Sequence, residues 1–187
     1  MLTHRRVFGL GTTGPARQEV WHNRSLFKEH TWRQDARGSP HHDTETIFLR
    51  SPWRVDGEGL TKHVVFNRLT SVDEEVQALF PAIMDKVQTL VELEGADSVG
   101  RVMVVKLAAG GAIDSHVDEG VYPTYYSRYH YVIDGESVMT IGGVDVVMLR
   151  GDCFWVNTSV LEHKVTNPFD TPRIHLIIDL RIKDDGS

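Results

Sequence analysis

His116, Val117 and Asp118 form an H-x-D motif after the β-branched run Val102 to Leu107 and a turn signal at Gly110-Gly111. Alternate side chains of an extended segment point to the same side, so His116 and Asp118 can converge on one metal ion. His163 lies about 45 residues beyond Asp118, in the strand-like run EHKV, a separation that several strands of a sheet folding back on itself can bring to the same mouth. Two imidazoles and one carboxylate on one face are the donor set that holds non-haem Fe(II) and leaves the opposite coordination positions open to substrate and oxygen. An isolated H-x-D is a common accident in a chain with 10 histidines. The third donor makes it a candidate site.

Ten positions after His163, Arg173 stands in TPRIHLIIDL, where Ile174, Leu176, Ile177, Ile178 and Leu180 read as a buried strand. A desolvated guanidinium without a partner is very costly, so a carboxylate or its equivalent must meet it. The planar fork grips a carboxylate through two parallel hydrogen bonds. It can thus hold a dicarboxylic cosubstrate by its far end while the other end chelates the metal.

Short strands must position these residues. From Arg101 the runs Val102 to Leu107, Tyr129 to Ile133, Ser137 to Ile141, Val144 to Leu149, Cys153 to Val156, Glu162 to Thr166 and Arg173 to Ile182 are punctuated by Gly, Asp, Asn and Pro. This spacing predicts an antiparallel sandwich or barrel, mainly β with supporting helices and the main helix on one outer face, and the preferred arrangement is a jelly-roll double sheet, the double-stranded β-helix of cupin-like proteins. Gly142-Gly143 between two runs predicts a tight hairpin. The clearest helix spans Ser71 to Leu93: Ser71 with Glu74 makes a capping box, Val72, Val76, Leu79, Phe80, Ile83, Val87, Leu90 and Val91 recur at helical spacing, and Gly95 ends it. Pro81 inside that pattern predicts a kink or two short helices. Thr46 to Arg50 and, more weakly, His63 to Phe66 read as strands, and Met1 to Pro40 as a loop-rich lead.

The chain has 187 residues, 41% hydrophobic and 25% charged, which fits one domain with a core of its own. Residues 1–100 read as supporting loops, strands and helix, and 101–182 as the catalytic core. A net charge of -6 argues against a general nucleic-acid partner. No run approaches the roughly 18 apolar residues of a membrane span. The first residues carry no apolar signal segment, and the lone Cys153 cannot form an internal disulfide, so the expected compartment is a reducing cytoplasm.

H-x-D, a distal His and an Arg ten residues later in the final strand together resemble the Fe(II)/2-oxoglutarate-dependent dioxygenase superfamily. Arg128-Tyr129-His130, Gly151-Asp152-Cys153-Phe154-Trp155, Glu162-His163-Lys164-Val165, Asn167 and PRIHLIID are similar to the aspartyl/asparaginyl β-hydroxylase family, over Arg101 to Leu180. The resemblance implies His116, Asp118 and His163 as iron ligands and Arg173 on the distal carboxylate of 2-oxoglutarate. It also implies Arg128 and His130 along the cosubstrate, near the carboxylate that approaches the metal. Some animal members have no carboxylate at the Asp118 position, so this chain follows the more general superfamily triad. The small hydroxyl residue that can assist the arginine is not evident in Val102 to Leu107, where Lys106 is the only polar side chain. The implied activity consumes 2-oxoglutarate and O2, releases succinate and CO2, and hydroxylates an amino-acid side chain, free or in a peptide, of Asp/Asn-like character. The alternative is a non-catalytic cupin-like module that binds a metal or a small acid.

Other groups carry weaker signals. Tyr122, Tyr125 and Tyr126 read equally as a substrate lid or as a loop anchored by aromatic burial. His41, His42 and Asp43 lack a fourth donor and read as a solvated turn. Trp21, Arg24, His30, Trp32 and Arg33 read either as a cover over the mouth of the site that binds an acidic group or, better, as surface scatter; His175, on the face of Arg173, reads as a support to the site or, better, as a satisfied sheet histidine; and Cys153 reads as a small buried hydrophobe. Oligomeric state has no signature in the sequence.

Overall fold

The computed structural model describes residues 1–29, 31–35, 38–51, 71–120 and 122–182. Its strands are β1 (His4–Val7), β2 (Thr44–Ser51), β3 (Ser71–Val72), β4 (Ala96–Leu107), β5 (Ala112–His116), β6 (Ser127–Asp134), β7 (Ser137–Ile141), β8 (Val144–Met148), β9 (Cys153–Val156), β10 (His163–Thr166) and β11 (Arg173–Ile182). The helices are α1 (Gly14–His22), α2 (Trp32–Asp35), α3 (Glu74–Ala78), α4 (Pro81–Glu94) and α5 (Tyr122–Tyr125), with a 3-10 turn at Arg24–Lys28. The fold is mainly β with supporting helices. One sheet has the order β1-β9-β6-β11-β4-β2-β3 and the other β5-β10-β7-β8, and the pairings are antiparallel.

Period-two alternation divides the interior into two layers. Leu176, Ile178 and Leu180 of β11, with Val102 and Val104 of β4 and Tyr129, Tyr131 and Ile133 of β6, pack under Ile83, Val87 and Leu90 of α4. Val132, Met139, Ile141, Met148, Phe154 and Val165 fill the space between the sheets. The inward strand faces also carry a small apolar cluster of Phe48, Met103, Val105 and Ile177 and a set of polar groups, Arg173, His175 and Asp179 on β11 and Arg128 and His130 on β6. Such groups are tolerated inside only when paired or when they await a ligand.

The Gly142-Gly143 hairpin forms as expected. Ile141 pairs with Val144, and both glycines have positive φ, 55° and 79°, the two-residue turn whose twist matches the strands. Gly135, at φ 71°, has a second role: a Cβ there would lie 2.8 Å from the Arg173 Cα. Only glycine lets the β6–β7 turn pass this close to the base of that arginine.

Two expectations are corrected, the start of the helix and the character of the lead segment, while the division at Pro81 and the stop at Gly95 hold. The helix does not begin at Ser71, because Ser71 and Val72 pair with Ser51 and Arg50 as β3; the cap moves to Asp73, whose carboxylate accepts from the Val76 amide at 3.2 Å. Pro81 divides the pattern into α3 and α4 and opens α4, where its missing donor costs nothing. Gly95 closes α4 in the left-handed conformation. The lead segment is not loop-rich: it supplies β1, α1, the 3-10 turn and α2. Helix α1 buries only Ala16 and Val20, too short a stripe to register as a period. The strand expected over His63 to Phe66 lies outside the described residues. Among the described residues no helix is long and apolar enough to cross a membrane.

Candidate metal centre

Strands β5 and β10 pair with His116 directly opposite His163, and their imidazole centroids lie 4.3 Å apart. Asp118 follows β5 and is held there by its amide, which donates to the Thr158 carbonyl at 2.9 Å. One ligand atom from each of His116, Asp118 and His163 falls within 4.8 Å of the others, with His116 Nε2 3.9 Å from Asp118 Oδ1. His116 Nδ1 donates to the Asp114 carbonyl at 2.7 Å and His163 Nδ1 to the Leu161 carbonyl at 3.3 Å. A carbonyl can only accept, so each Nδ1 carries the proton and each Nε2 keeps the lone pair that a metal requires. The cluster can hold a metal ion.

The carboxylate is positioned from behind. Arg128 Nη1 donates to Asp118 Oδ2 at 2.6 Å, while Arg128 Nε and Nη2 grip both oxygens of Asp179 at 2.8 and 3.0 Å. Tyr122 donates to Asp179 at 3.1 Å and accepts from the Arg101 amide at 2.6 Å. Burial alone would raise the Asp118 pKa, but Arg128, aided by His163 and a hydrogen bond from Thr158, holds it well below the usual carboxylate range. Arg128 is likewise held above its ordinary value by the two acids, against the pull of burial. Asp118 is therefore ionised and ready to ligate. An Asp179→Asn substitution keeps the shape but removes the charge that pins Arg128, and should weaken metal affinity about 10- to 100-fold in an anaerobic Mn(II) titration. Unchanged affinity would mean that Thr158 alone places Asp118.

Arg173 is fully buried, and among the described residues none of its three guanidinium nitrogens has a hydrogen-bond partner. Burial, with Arg33 adding repulsion, brings its pKa down to about 9. An unpaired buried charge of this kind marks a place that an anion fills. On the same face His130 Nδ1 lies 3.3 Å from His175 Nδ1, and His175 Nε2 has no partner among the described residues. The expected satisfied sheet histidine is thus only half satisfied.

Burial pushes His163 down to about 4. Burial, seconded by Arg173, puts His130 and His175 well below the ordinary 6.5. These three are neutral in the fold, whereas the unfolded chain binds their protons below about pH 6.5. Their stabilisation is full above that value and is lost as pH falls toward 4, at up to about 1.4 kcal/mol per pH unit for each group. The metal-free protein should show a lower urea midpoint at pH 5 than at pH 7; equal midpoints would mean that these rings charge freely.

Arg33 and His41, read from sequence as surface and turn, lie at the site. His41 sits edge-on to His116 at 5.1 Å and meets Arg33 Nη2 at 3.0 Å. The HHD string was the available signal for His41, and the scattered aromatic and basic residues from Trp21 to Arg33, in their less favoured reading as a cover over the site, were the signal for Arg33. Tyr122 is a buried anchor stacked on Tyr126, whereas Tyr125 is 59% exposed.

Among solved structures, a predicted oxalate decarboxylase from Thermotoga maritima is 22% identical over 45% of this chain and 68% of that one, with a TM-score of 0.37. Salicylate 1,2-dioxygenase from Pseudaminobacter salicylatoxidans is 18% identical over 42% of this chain and 20% of that one, with a TM-score of 0.35. The cupin domain of Schizosaccharomyces pombe Cnp3 is 12% identical over 46% of this chain and 66% of that one, with a TM-score of 0.38. No curated protein matches the chain. A profile of the aspartyl/asparaginyl beta-hydroxylase family matches residues 15–182, from α1 through the whole of β11, and the chain therefore belongs to that family.

Proposed function

We propose that this protein is an Fe(II)- and 2-oxoglutarate-dependent dioxygenase that hydroxylates an amino-acid side chain, free or in a peptide. The observation that carries the reading is the pairing of the His116/Asp118/His163 donor set with a fully buried Arg173 that has no hydrogen-bond partner among the described residues. Two imidazoles and a carboxylate suit Fe(II), and an orphaned guanidinium suits the distal carboxylate of 2-oxoglutarate. When bound, iron, 2-oxoglutarate and O2 supply oxidative decarboxylation to succinate and CO2 coupled to insertion of an oxygen atom into a C–H bond.

The chain's own residues prepare that chemistry. His116 and His163 offer Nε2 to the metal because each Nδ1–H is held by a backbone carbonyl, and Asp118 stays an acceptor because Arg128 holds its charge. His130 and His175, neutral and next to Arg173, line the path that the cosubstrate occupies. The apolar packing between the sheets excludes water from the anion's far end. The strand orders β4-β11-β6-β9 and β5-β10-β7-β8 support a double-stranded β-helix over 101–182, braced by residues 1–100 within one domain. The buried free thiol of Cys153 suits a reducing cytoplasm.

The test is anaerobic loading with Fe(II) and 2-oxoglutarate followed by O2. Succinate formation, even without substrate, supports the enzyme. Binding of both without succinate leaves a non-catalytic metal and acid-binding module and overturns the proposal.

A further inference from the structure

A cavity of about 920 Å³ opens on the face of the large sheet that points away from the metal centre. Its floor is a single row across four strands: Glu45 of β2 stands opposite Lys106 of β4, Lys106 opposite Ile174 of β11, and Ile174 opposite Asp134 of β6. Ile174 and Arg173 are neighbours on one strand and so point to opposite faces. The sheet itself therefore separates this cavity from the anion site at Arg173. Helix α1 and the 3-10 turn stand over the row, with Val20 and Phe27 buried in the helix-side core and Trp21, Arg24 and Lys28 at the rim. Trp21 and Arg24, which the sequence also offers as a cover for the metal site, line the cavity on this other face.

Both acids of the floor are already paired. Glu45 meets Lys106 at 2.8 Å and Asp134 meets Arg17 at 2.9 Å. Arg24 and Lys28 have no acidic partner among the described residues, so the lining carries four Arg and Lys side chains against two carboxylates, a positive patch in a chain whose net charge is -6. The Arg24 fork is set in advance: its Nη1 donates to the Trp21 carbonyl at 2.8 Å, and its guanidinium carbon lies 4.5 Å from the centre of the Trp21 ring. Among the described residues no hydrogen bond occupies its Nε or Nη2. Trp21 remains 66% exposed, a large apolar ring with a polar edge that the fold leaves unburied. A largely apolar cavity of this size with a few convergent polar groups is the usual form of a small-molecule site.

We propose that this cavity is a second binding site, for an apolar organic acid. The hydrocarbon body of the ligand lies against Val20, Phe27 and Ile174, and its anionic group meets Arg24 and Lys28. A carboxylate presents the two parallel acceptors that the guanidinium fork requires, whereas the matching carboxamide presents one and carries no charge.

The test uses the full chain, its metal centre filled anaerobically by saturating Mn(II) and 2-oxoglutarate, titrated calorimetrically with 2-naphthoate and with 2-naphthamide. Wild type is expected to bind one naphthoate per chain, at least about ten-fold more tightly than the amide, the size of effect that hydrogen bonds to a charged group produce. Arg24→Gln and Lys28→Gln should each weaken naphthoate several-fold, and the double variant should lose the preference, while 2-oxoglutarate affinity stays within about two-fold because the sites are independent. Lys164→Gln, which neutralises an exposed cation on the solvent face of the small sheet, should change nothing. The inference is overturned if naphthoate does not bind, if the amide binds as well, if the double variant keeps the preference, or if Lys164→Gln loses it. Naphthoate that binds only before Mn(II) and 2-oxoglutarate are added lies in the metal centre, and that result overturns it too. Should the double variant fail to fold, each single variant decides by the same several-fold loss. A protein that takes up neither Mn(II) nor 2-oxoglutarate overturns the functional reading alone, and the same variants still decide the cavity.

Discussion

In the His163→Ala protein, Fe(II)-dependent succinate formation is expected to disappear and metal affinity to fall by more than about 100-fold, beyond the 10- to 100-fold typical of losing an outer-shell partner. Only His116 and Asp118 then remain of the donor set. His41, whose ring lies 5.1 Å from that of His116 and whose Nε2 meets Arg33, is not among the clustered donors. The metal-free fold should persist, because β10 is held through its backbone to both β5 and β7. The checks are an anaerobic metal titration and the near-ultraviolet circular dichroism of the metal-free variant. Metal binding close to wild type would remove His163 from the ligand set, and collapse of the dichroism would show that the ring is structural.

Arg173→Met should move stability and function in opposite directions. In the ligand-free protein Arg173 is a buried charge without a partner among the described residues, and replacing such a charge by an apolar side chain of similar volume can stabilise by roughly 1–4 kcal/mol. On the proposed function, the same change deletes two charge-assisted hydrogen bonds to the cosubstrate, worth about 1.5–3 kcal/mol each, so 2-oxoglutarate affinity should drop by at least about 100-fold. Arg173→Lys keeps the charge but not the fork, and should raise the 2-oxoglutarate requirement less steeply. Urea unfolding without ligand and calorimetry with 2-oxoglutarate read the two effects separately. A metal-free Arg173→Met protein less stable than wild type would mean that an internal anion already meets the arginine, and the functional reading would lose its main support.

Much of the strand layout was legible because alternation within four to ten residues is a local property. Ile174, Leu176, Ile178 and Leu180 lie on one face of β11, and Arg173, His175 and Asp179 on the other, as period two requires. The hairpin at Gly142-Gly143 was equally local. The start of the helix was not, because Ser71 and Val72 spend their backbone on β2, a partner about 20 residues away whose pairing moves the cap to Asp73. Arg33 was legible only as the less favoured of two readings, for a related reason. A polar helix of four residues shows no apolar stripe, so nothing in its text says which way its arginine turns.

By itself the sequence determined the donor types, the shared face of His116 and Asp118 and the awkward placement of Arg173 in an apolar strand, since all three follow from chain geometry over a few residues. Only the tertiary structure decided that Arg128 bridges Asp118 and Asp179, a partner 51 residues away, and that Arg33 and His41 close on the metal side. Which inward-facing charges meet is set by the order of strands across the sheets, and hydrophobic periodicity reports only that they face inward.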